Sequence, residues 1–369
     1  MWSGDAYQSY LINYYLFFDT DIVKRTTYAL RGKDPVQQHI NTIMDYSFYW
    51  IIGIYDYFRF TGDRDFIRDI WPQMESLLQF IISRLNRQGL AEGLPGDWVF
   101  IDWASAIDKE GPVCAEQMLL ARALESAAIC AEIAGKDAAE YKSLANSIRE
   151  KIDQLYWDET KQAYIDSFVS GKGNVTRHAN IFAILFGFVA EEKQNAIVKN
   201  VLKNDGVPQI TTPYFKFYEL EALCAIGETK VALETMLSYW GGMLSLGATT
   251  FWEEYDPEQD FPVHYAMYGD KFGKSFCHAW GASPIYLLGR YFIGIRPTSD
   301  GYATFDCVPN LGGLEWMEGT VPVPGGAVSL YMDGERVKVR SSVPGGTLVL
   351  NGERIPIEVG RGYDAALAD

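Results

Sequence analysis

The sequence predicts a mainly α chain, a ring of paired helices followed by a small β-sandwich. Three observations carry that prediction. Most of the stretch before residue 295 divides into apolar or amphipathic segments of helical length. These segments follow one another through short turns, as antiparallel helix pairs do. From about residue 295 the texture changes to short alternating strands divided by Gly, Pro and Asp-Gly. A chain of 369 residues suits one large domain plus a small one, with expected bounds 1–295 and 296–369.

In order, helices are expected over 5–17, 20–30, 36–61, 64–87, 114–134, 137–155, 176–188, 192–203, 215–226, 228–240 and 275–292. Gly4 and Asp5 read as a turn and cap before the first. Thr61, Gly62 and Asp63 supply a stop and a new N-cap, and Gly135 and Asp137 do the same further on. The helices show no fixed short sequence repeat, which disfavours a solenoid. In a ring, the inner helices bury their apolar sides and the loops at one end build a cleft.

Three stretches break the helical pattern. "GLAEGLPGDWVFIDWA" (89–104) is rich in Gly, Pro and Trp. "LYWDETKQAYID" (155–166) reads as a hairpin. "GATTFWEEYDPEQDFPVHYAMYGDKFGKSFCH" (247–278) is a long loop, too aromatic to be disordered. In the tail, "VSLYMDGERVKVRSS" places Asp333-Gly334 between two alternating runs, a strong hairpin signal.

Composition narrows the function classes. The net charge of −16 repels phosphate backbones, so nucleic acid is not an expected partner. No apolar run reaches membrane-spanning length and no basic-then-apolar leader is present, so no membrane partner is expected. The site of action stays open, as does the oligomeric state. The five cysteines are widely spaced without a C-x-x-C pair, and read as buried free thiols. The four histidines lack metal-ligand spacing, and no metal or other cofactor is expected. There is no G-x-S-x-G, P-loop or dinucleotide fingerprint. The 10 Trp and 23 Tyr serve either a large core or stacking surfaces for ring-shaped ligands.

The candidate chemistry lies in the loops. Trp252-Glu253-Glu254-Tyr255 places two carboxylates between two aromatics. Adjacent residues of an extended segment point to opposite sides, so one Glu faces a cleft while the other faces solvent or a structural Arg. A carboxylate wedged among rings loses hydration, as a general base near neutral pH requires. Two surface glutamates remain an equal alternative on the segment alone. Asp97-Trp98 and Asp102-Trp103 repeat an acid–aromatic pair. Sugar sites are built this way, with a carboxylate on hydroxyls and a ring on the apolar sugar face. The competing reading is two plugging tryptophans with turn-forming aspartates. His278, in "SFCHAWG", follows the Glu253 loop closely.

"WSGDA" at the chain start, "GATTFWEEYD", "KSFCHAWGASPIYLLGRYFIGIRP" and "GYATFDCVPNLGGLEWMEGTVPVPGG" together resemble the bacterial α-L-rhamnosidases of glycoside hydrolase family 78. The resemblance spans nearly the whole chain, and its motifs occur in the family's order. It implies an (α/α)6 six-hairpin barrel followed by a β-sandwich, and hydrolysis of terminal α-L-rhamnose with inversion. The substrate implied is a rhamnose-containing oligosaccharide or glycoside. Glu253 matches the proposed general base, and Asp5 the W-x-G-D aspartate that binds sugar hydroxyls. Trp2 and Trp252 match pocket aromatics, and His278 the histidine after the base loop. Trp98, and more loosely Trp103, match the Trp of a G-D-W segment. In the family the general acid is a Glu in E-R-x-x-W-x-G-D, a position expected to fall before Met1, as are the family's upstream β-sandwich domains. Two other functions stay open: another inverting (α/α)6 glycosidase, and a carbohydrate-binding fragment without turnover.

Overall fold

A computed structural model describes residues 1–366; the last three residues of the expected C-terminal domain, 367–369, lie outside the described residues. Among the described residues there are eleven α-helices, with the strands concentrated at the C-terminal end. The chain forms two compact units. The first comprises Met1–Tyr7, Arg25–Tyr55 and Arg64–Ala222; the second comprises Gln8–Lys24, Asp56–Asp63 and the chain from Leu223 onward.

The helices are α1 (Ser3–Leu16), α2 (Thr20–Arg31), α3 (Met44–Thr61), α4 (Arg64–Ser83), α5 (Cys114–Ile133) and α6 (Ala139–Tyr156). They continue with α7 (Arg177–Leu185), α8 (Glu191–Ile197), α9 (Pro213–Ala225), α10 (Thr229–Ser245) and α11 (Ser283–Leu287). In the first unit α5 is the core helix. It is buried on nearly every side and packs against α4, α6 and α7. Its small residues, among them Ala121, Ala123, Ala127, Ala128 and Ala131, allow that close surround. The expected hairpin at 155–166 is present as β1 (Trp157–Asp158) paired antiparallel with β2 (Ala163–Tyr164).

The second unit holds the β-structure. Strands β3 (Ile295–Pro297), β4 (Phe305–Cys307), β8 (Gly346–Leu350) and β9 (Glu353–Pro356) form one sheet, ordered β3-β4-β8-β9. Strands β5 (Trp316–Val323), β6 (Gly326–Asp333), β7 (Arg336–Ser341) and β10 (Tyr363–Ala366) form the other, ordered β10-β7-β6-β5. Alternate residues of β7 are buried, the pattern of a sheet with one inner face. The predicted turn between β6 and β7 forms at Asp333, whose Oδ1 accepts from the N–H groups of Glu335 and Arg336, both at 2.8 Å. In the same unit Tyr14 stacks on Phe60 at 4.2 Å, and the Tyr15 hydroxyl donates to the Ile295 carbonyl at 2.8 Å.

Several helix assignments differ from expectation: that over 64–87 ends at Ser83, that over 192–203 passes from α8 into a π turn at Val198–Leu202, and two differ more deeply. The helix expected over 36–61 starts only at Met44. Residues ahead of it turn instead: Asn41 and Thr42 lie at φ +57° and +62°. Their polar groups have tertiary partners that a helix would remove. Asn41 Oδ1 accepts the Ser3 N–H at 3.0 Å, and the Thr42 carbonyl accepts the Trp98 N–H at 2.8 Å. The helix expected over 275–292 is broken into a 3-10 turn at Ala279–Ala282, α11, and a π turn at Leu288–Phe292. The His278 N–H donates to the Phe251 carbonyl at 2.8 Å, so the chain up to that point belongs to the loop. Gly4 and Asp5 also lie inside α1, past its start at Ser3, so they are not the turn and cap ahead of it.

Gly4 is required for packing. A Cβ there would lie 2.4 Å from Tyr46 Cε1 and 2.6 Å from the Tyr214 hydroxyl. Gly241, inside α10, has open space around it. Gly4→Ala should therefore lower unfolding free energy by about 1–3 kcal/mol through overpacking. Gly241→Ala should raise it by about 0.5–1 kcal/mol through helix propensity. Urea unfolding midpoints of the two variants check the contrast.

Candidate functional site

In the first unit, an aromatic cluster assembles around Tyr46, at the start of α3. The Tyr46 hydroxyl donates to Asp5 Oδ2 at 3.1 Å. Trp2 meets the Tyr46 ring edge-on at 6.4 Å, and Phe100 meets it at 5.8 Å. Phe100 in turn packs edge-on against Trp98 at 5.2 Å and Trp103 at 5.1 Å, and those two rings lie 5.5 Å apart. Trp2 is 49% exposed and Trp98 40% exposed, large values for tryptophan beside so much buried aromatic surface. So the structure brings Trp2, Asp5, Trp98 and Trp103 together, with two of the rings turned to solvent.

The two aspartates of this segment are used internally. Asp97 pairs with Arg84 and accepts the Leu94 N–H, which closes the turn before Trp98. Asp102 is 2% exposed. Its Oδ1 accepts from the Thr212 hydroxyl at 2.5 Å and the Trp103 N–H at 2.8 Å, and its Oδ2 lies 3.0 Å from His178 Nε2. The other ring nitrogen of His178 lies 3.2 Å from the Thr176 hydroxyl, which reaches Asp166 Oδ1 at 2.7 Å. Burial pushes the Asp166 carboxyl up, against hydrogen bonds from Thr176, Asp108 N–H and Asn174. Asp102 is thus the anchor of its own loop, where the sequence suggested a ligand for sugar hydroxyls. Sequence reading missed His178, because a lone histidine within a helix carries no local signal of its partner.

The second unit holds Glu253. It is 4% exposed, and each atom that can bond is engaged. Oε2 accepts the Ser275 N–H at 2.9 Å and lies 3.9 Å from His278 Nδ1. Oε1 accepts the Tyr268 hydroxyl. The Glu253 backbone is tied on both sides, N–H to the Ser275 carbonyl and C=O to Trp280 Nε1, both at 2.9 Å. The His278 ring packs against Trp280 in a tilted contact, with centroids 4.0 Å apart. This arrangement presents a desolvated carboxylate in one orientation, the form a proton acceptor needs. Tyr268, which sequence reading missed, sits at φ +56° beside Gly269, a strained position of the kind found at functional sites.

The alternation at 253–254 holds in part. Glu254 turns away from the Glu253 contacts, and its partner is Lys274 at 2.5 Å, a fully buried amine, where solvent or an Arg was expected. Trp252 is buried at 3% exposure and packs edge-on against Phe276 at 5.1 Å, so it supports the loop from within. Among the described residues no cluster of His, Cys, Asp or Glu suits a metal ion, and no helix is long and apolar enough to cross a membrane.

Comparison with known proteins follows the same lines. Residues 2–292 match the bacterial alpha-L-rhamnosidase 6 hairpin glycosidase domain. The α-L-rhamnosidase of Streptomyces avermitilis is 25% identical over 269 residues, covering 66% of this chain and 24% of that protein. Among solved structures, a GH78 family rhamnosidase of Bacillus sp. GL1 superposes with a TM-score of 0.82 at 29% identity, covering 97% of this chain and 39% of that one. A rhamnosidase from Klebsiella oxytoca, with rhamnose bound, superposes with a TM-score of 0.68 at 25% identity, covering 79% and 58%. The chain therefore spans about a quarter of the curated relative's length.

The anchoring of Asp102 generates a prediction. Asp102→Ala removes the partner of a buried histidine and of the Thr212 hydroxyl, and should cost about 3–5 kcal/mol of unfolding free energy. Asp205→Ala, at an exposed turn, should stay within about 0.5 kcal/mol. Chemical denaturation of both reads the difference.

Proposed function

Since this chain belongs to the bacterial α-L-rhamnosidase six-hairpin glycosidase family, we propose that it carries the base side of a glycoside hydrolase acting on terminal α-L-rhamnose. The observation that carries the reading is Glu253, a buried carboxylate fixed by the Ser275 N–H and flanked by His278. Two of the relatives, from Klebsiella oxytoca and Streptomyces avermitilis, were solved with rhamnose. The proposed substrate is accordingly a rhamnose-containing oligosaccharide or glycoside. The proposed catalytic domain is 1–295, with 296–369 a β-sandwich domain.

In this reading the reaction is a direct displacement with inversion. Glu253 takes a proton from water as that water attacks the anomeric carbon. The leaving oxygen is protonated by a carboxyl acid about 6.5–9.5 Å from the base, the separation that admits a water. No residue of this chain is assigned as that acid. Asp5 is assigned to sugar hydroxyls, and Trp2, Trp98 and Trp103 to the apolar sugar face, where a stacked ring replaces ordered water. Asp102 positions the Trp98–Trp103 segment, and Trp252 supports the base loop. His278 lies beside the Glu253 oxygen and is assigned to orient it or to hydrogen-bond the substrate.

Glu253→Gln keeps the shape and removes the proton acceptor. On an aryl α-L-rhamnoside, in the natural gene product, it should lower turnover by about 10²–10⁴-fold while L-rhamnose affinity stays within about tenfold. Glu254→Gln should instead lower thermal stability, because it strips a buried lysine of its partner, and leave turnover per folded molecule close to wild type. The reverse pattern would transfer the base role to Glu254. Rhamnose binding with no turnover in the unmodified protein would leave a carbohydrate-binding domain.

A further inference from the structure

The segment carrying Trp98 and Trp103 has no helix or strand of its own. Within it Ile101 lies at φ +56°, a costly conformation for a β-branched residue. Such a backbone persists only where its surroundings over-determine it. Asp45, fully buried in the first turn of α3, accepts the N–H groups of Phe100 at 3.4 Å and Ile101 at 3.2 Å. Lys109 Nζ donates to the Phe100 carbonyl at 2.6 Å. The peptide groups on both sides of Phe100 are therefore gripped from beneath.

Asp45 has a second carboxyl against it. Glu116, in the first turn of α5, is also fully buried, and neither of its oxygens meets an N–H or O–H donor among the described residues. The Asp45 carboxyl is within hydrogen-bonding reach of it. Lys109 is the cation facing the pair, and Tyr46, Tyr49 and Tyr214 are the phenols facing Asp45. Two carboxylates in contact in a dry interior do not both ionise, and one lysine balances one negative charge. The two acids are not equivalent. Asp45 takes two backbone N–H bonds, which favour its charged form. Glu116 takes none.

We propose that Glu116 is the protonated member, donating its proton to Asp45, and that this buried acid pair is the positioning device of the Trp98–Trp103 segment. Burial pushes the Asp45 carboxyl up to about 7 and holds Glu116 well above the usual carboxylate range, in line with that assignment. Both groups bind protons more tightly in the folded chain than in the unfolded one. Their contribution to stability is complete below the ordinary carboxylate range and is lost as pH rises toward and through the folded values. Loss of the shared proton leaves two like charges under Phe100 and Ile101, and the grip on those amides loosens.

The test is hydrogen–deuterium exchange of peptides covering 98–103, corrected for intrinsic exchange, between about pH 6 and about pH 9. In the wild-type chain, protection of this segment should fall at least about tenfold across the range. Glu116→Gln retains a donor toward Asp45 and leaves no second carboxyl to ionise beside it, so its protection should show no fall toward high pH. Asp45→Asn should lose protection at every pH. Infrared difference spectra provide a check that needs no stable Asp45 variant: the protonated-carboxyl band lost between the two pH values in wild type should be weakened in Glu116→Gln, where Asp45 is the one acid of the pair left to contribute. Flat wild-type protection, or a pH-dependent loss that survives in Glu116→Gln, would overturn the proposal. The role of the segment in sugar binding rests on the function proposed above and is read separately. If protection titrates and L-rhamnose affinity does not follow it, the positioning pair stands and the sugar-facing assignment of Trp98 and Trp103 fails.

Discussion

A segment that leaves helix or strand keeps its peptide groups, and where it is buried each of them needs a partner. Both chemistry-bearing stretches of this chain live under that constraint. In the first unit Asp45 takes the N–H groups of Phe100 and Ile101, Lys109 takes the carbonyl between them, and Asp102 takes the N–H of Trp103. In the second, the Glu253 N–H is bound by the Ser275 carbonyl, and its own carbonyl by Trp280. Carboxylates suit the task because two oxygens accept several donors at once, with charge-assisted strength. The result is that irregular backbone holds its side chains in one orientation without a ladder to fix it.

The same solution has a consequence for charge. Burying an acid without enough donors shifts it toward its neutral form, and this chain does so repeatedly in its first unit. Asp45, Glu116 and Asp166 are all raised by burial. Glu219 is the counter-example: Arg177 at 2.7 Å and Lys216 at 2.6 Å hold its carboxyl low, against the same desolvation. What separates the two outcomes is the number of cations within contact. Depth of burial is alike in both.

The aromatic excess divides along a related line. Tyr14 and Tyr49, which stack on neighbouring rings, and Tyr214, which meets its neighbours edge-on or tilted, are buried and held neutral well above the usual phenol range by desolvation. They build core. Trp2 and Trp98 belong to a continuous ring network yet leave much of their surface to solvent. A large ring held rigidly from behind and open in front loses little entropy on meeting an apolar sugar face, which is what a stacking wall requires.

The local features were legible from sequence because their causes are local. The Asp158–Lys161 turn, the Asp333 hairpin, the order of helices and the change to strands near 295 follow from periodicity and turn chemistry within a few residues. The motif around Glu253 was legible as a loop acid between aromatics. Tertiary structure decided the rest. The start of α3 at Met44 depends on Ser3 and Trp98, which claim the polar groups of Asn41 and Thr42. Asp102 reads as a sugar ligand until His178, 76 positions away, and Thr212, 110 positions away, occupy its oxygens. Trp252 reads as a pocket wall until Phe276 and its neighbours cover it. Glu116 gives no signal at all in sequence, being one acid at the start of a helix. A hydrogen bond or a burial depends on what the folded chain brings alongside, and no spacing within one segment encodes a partner that arrives from another.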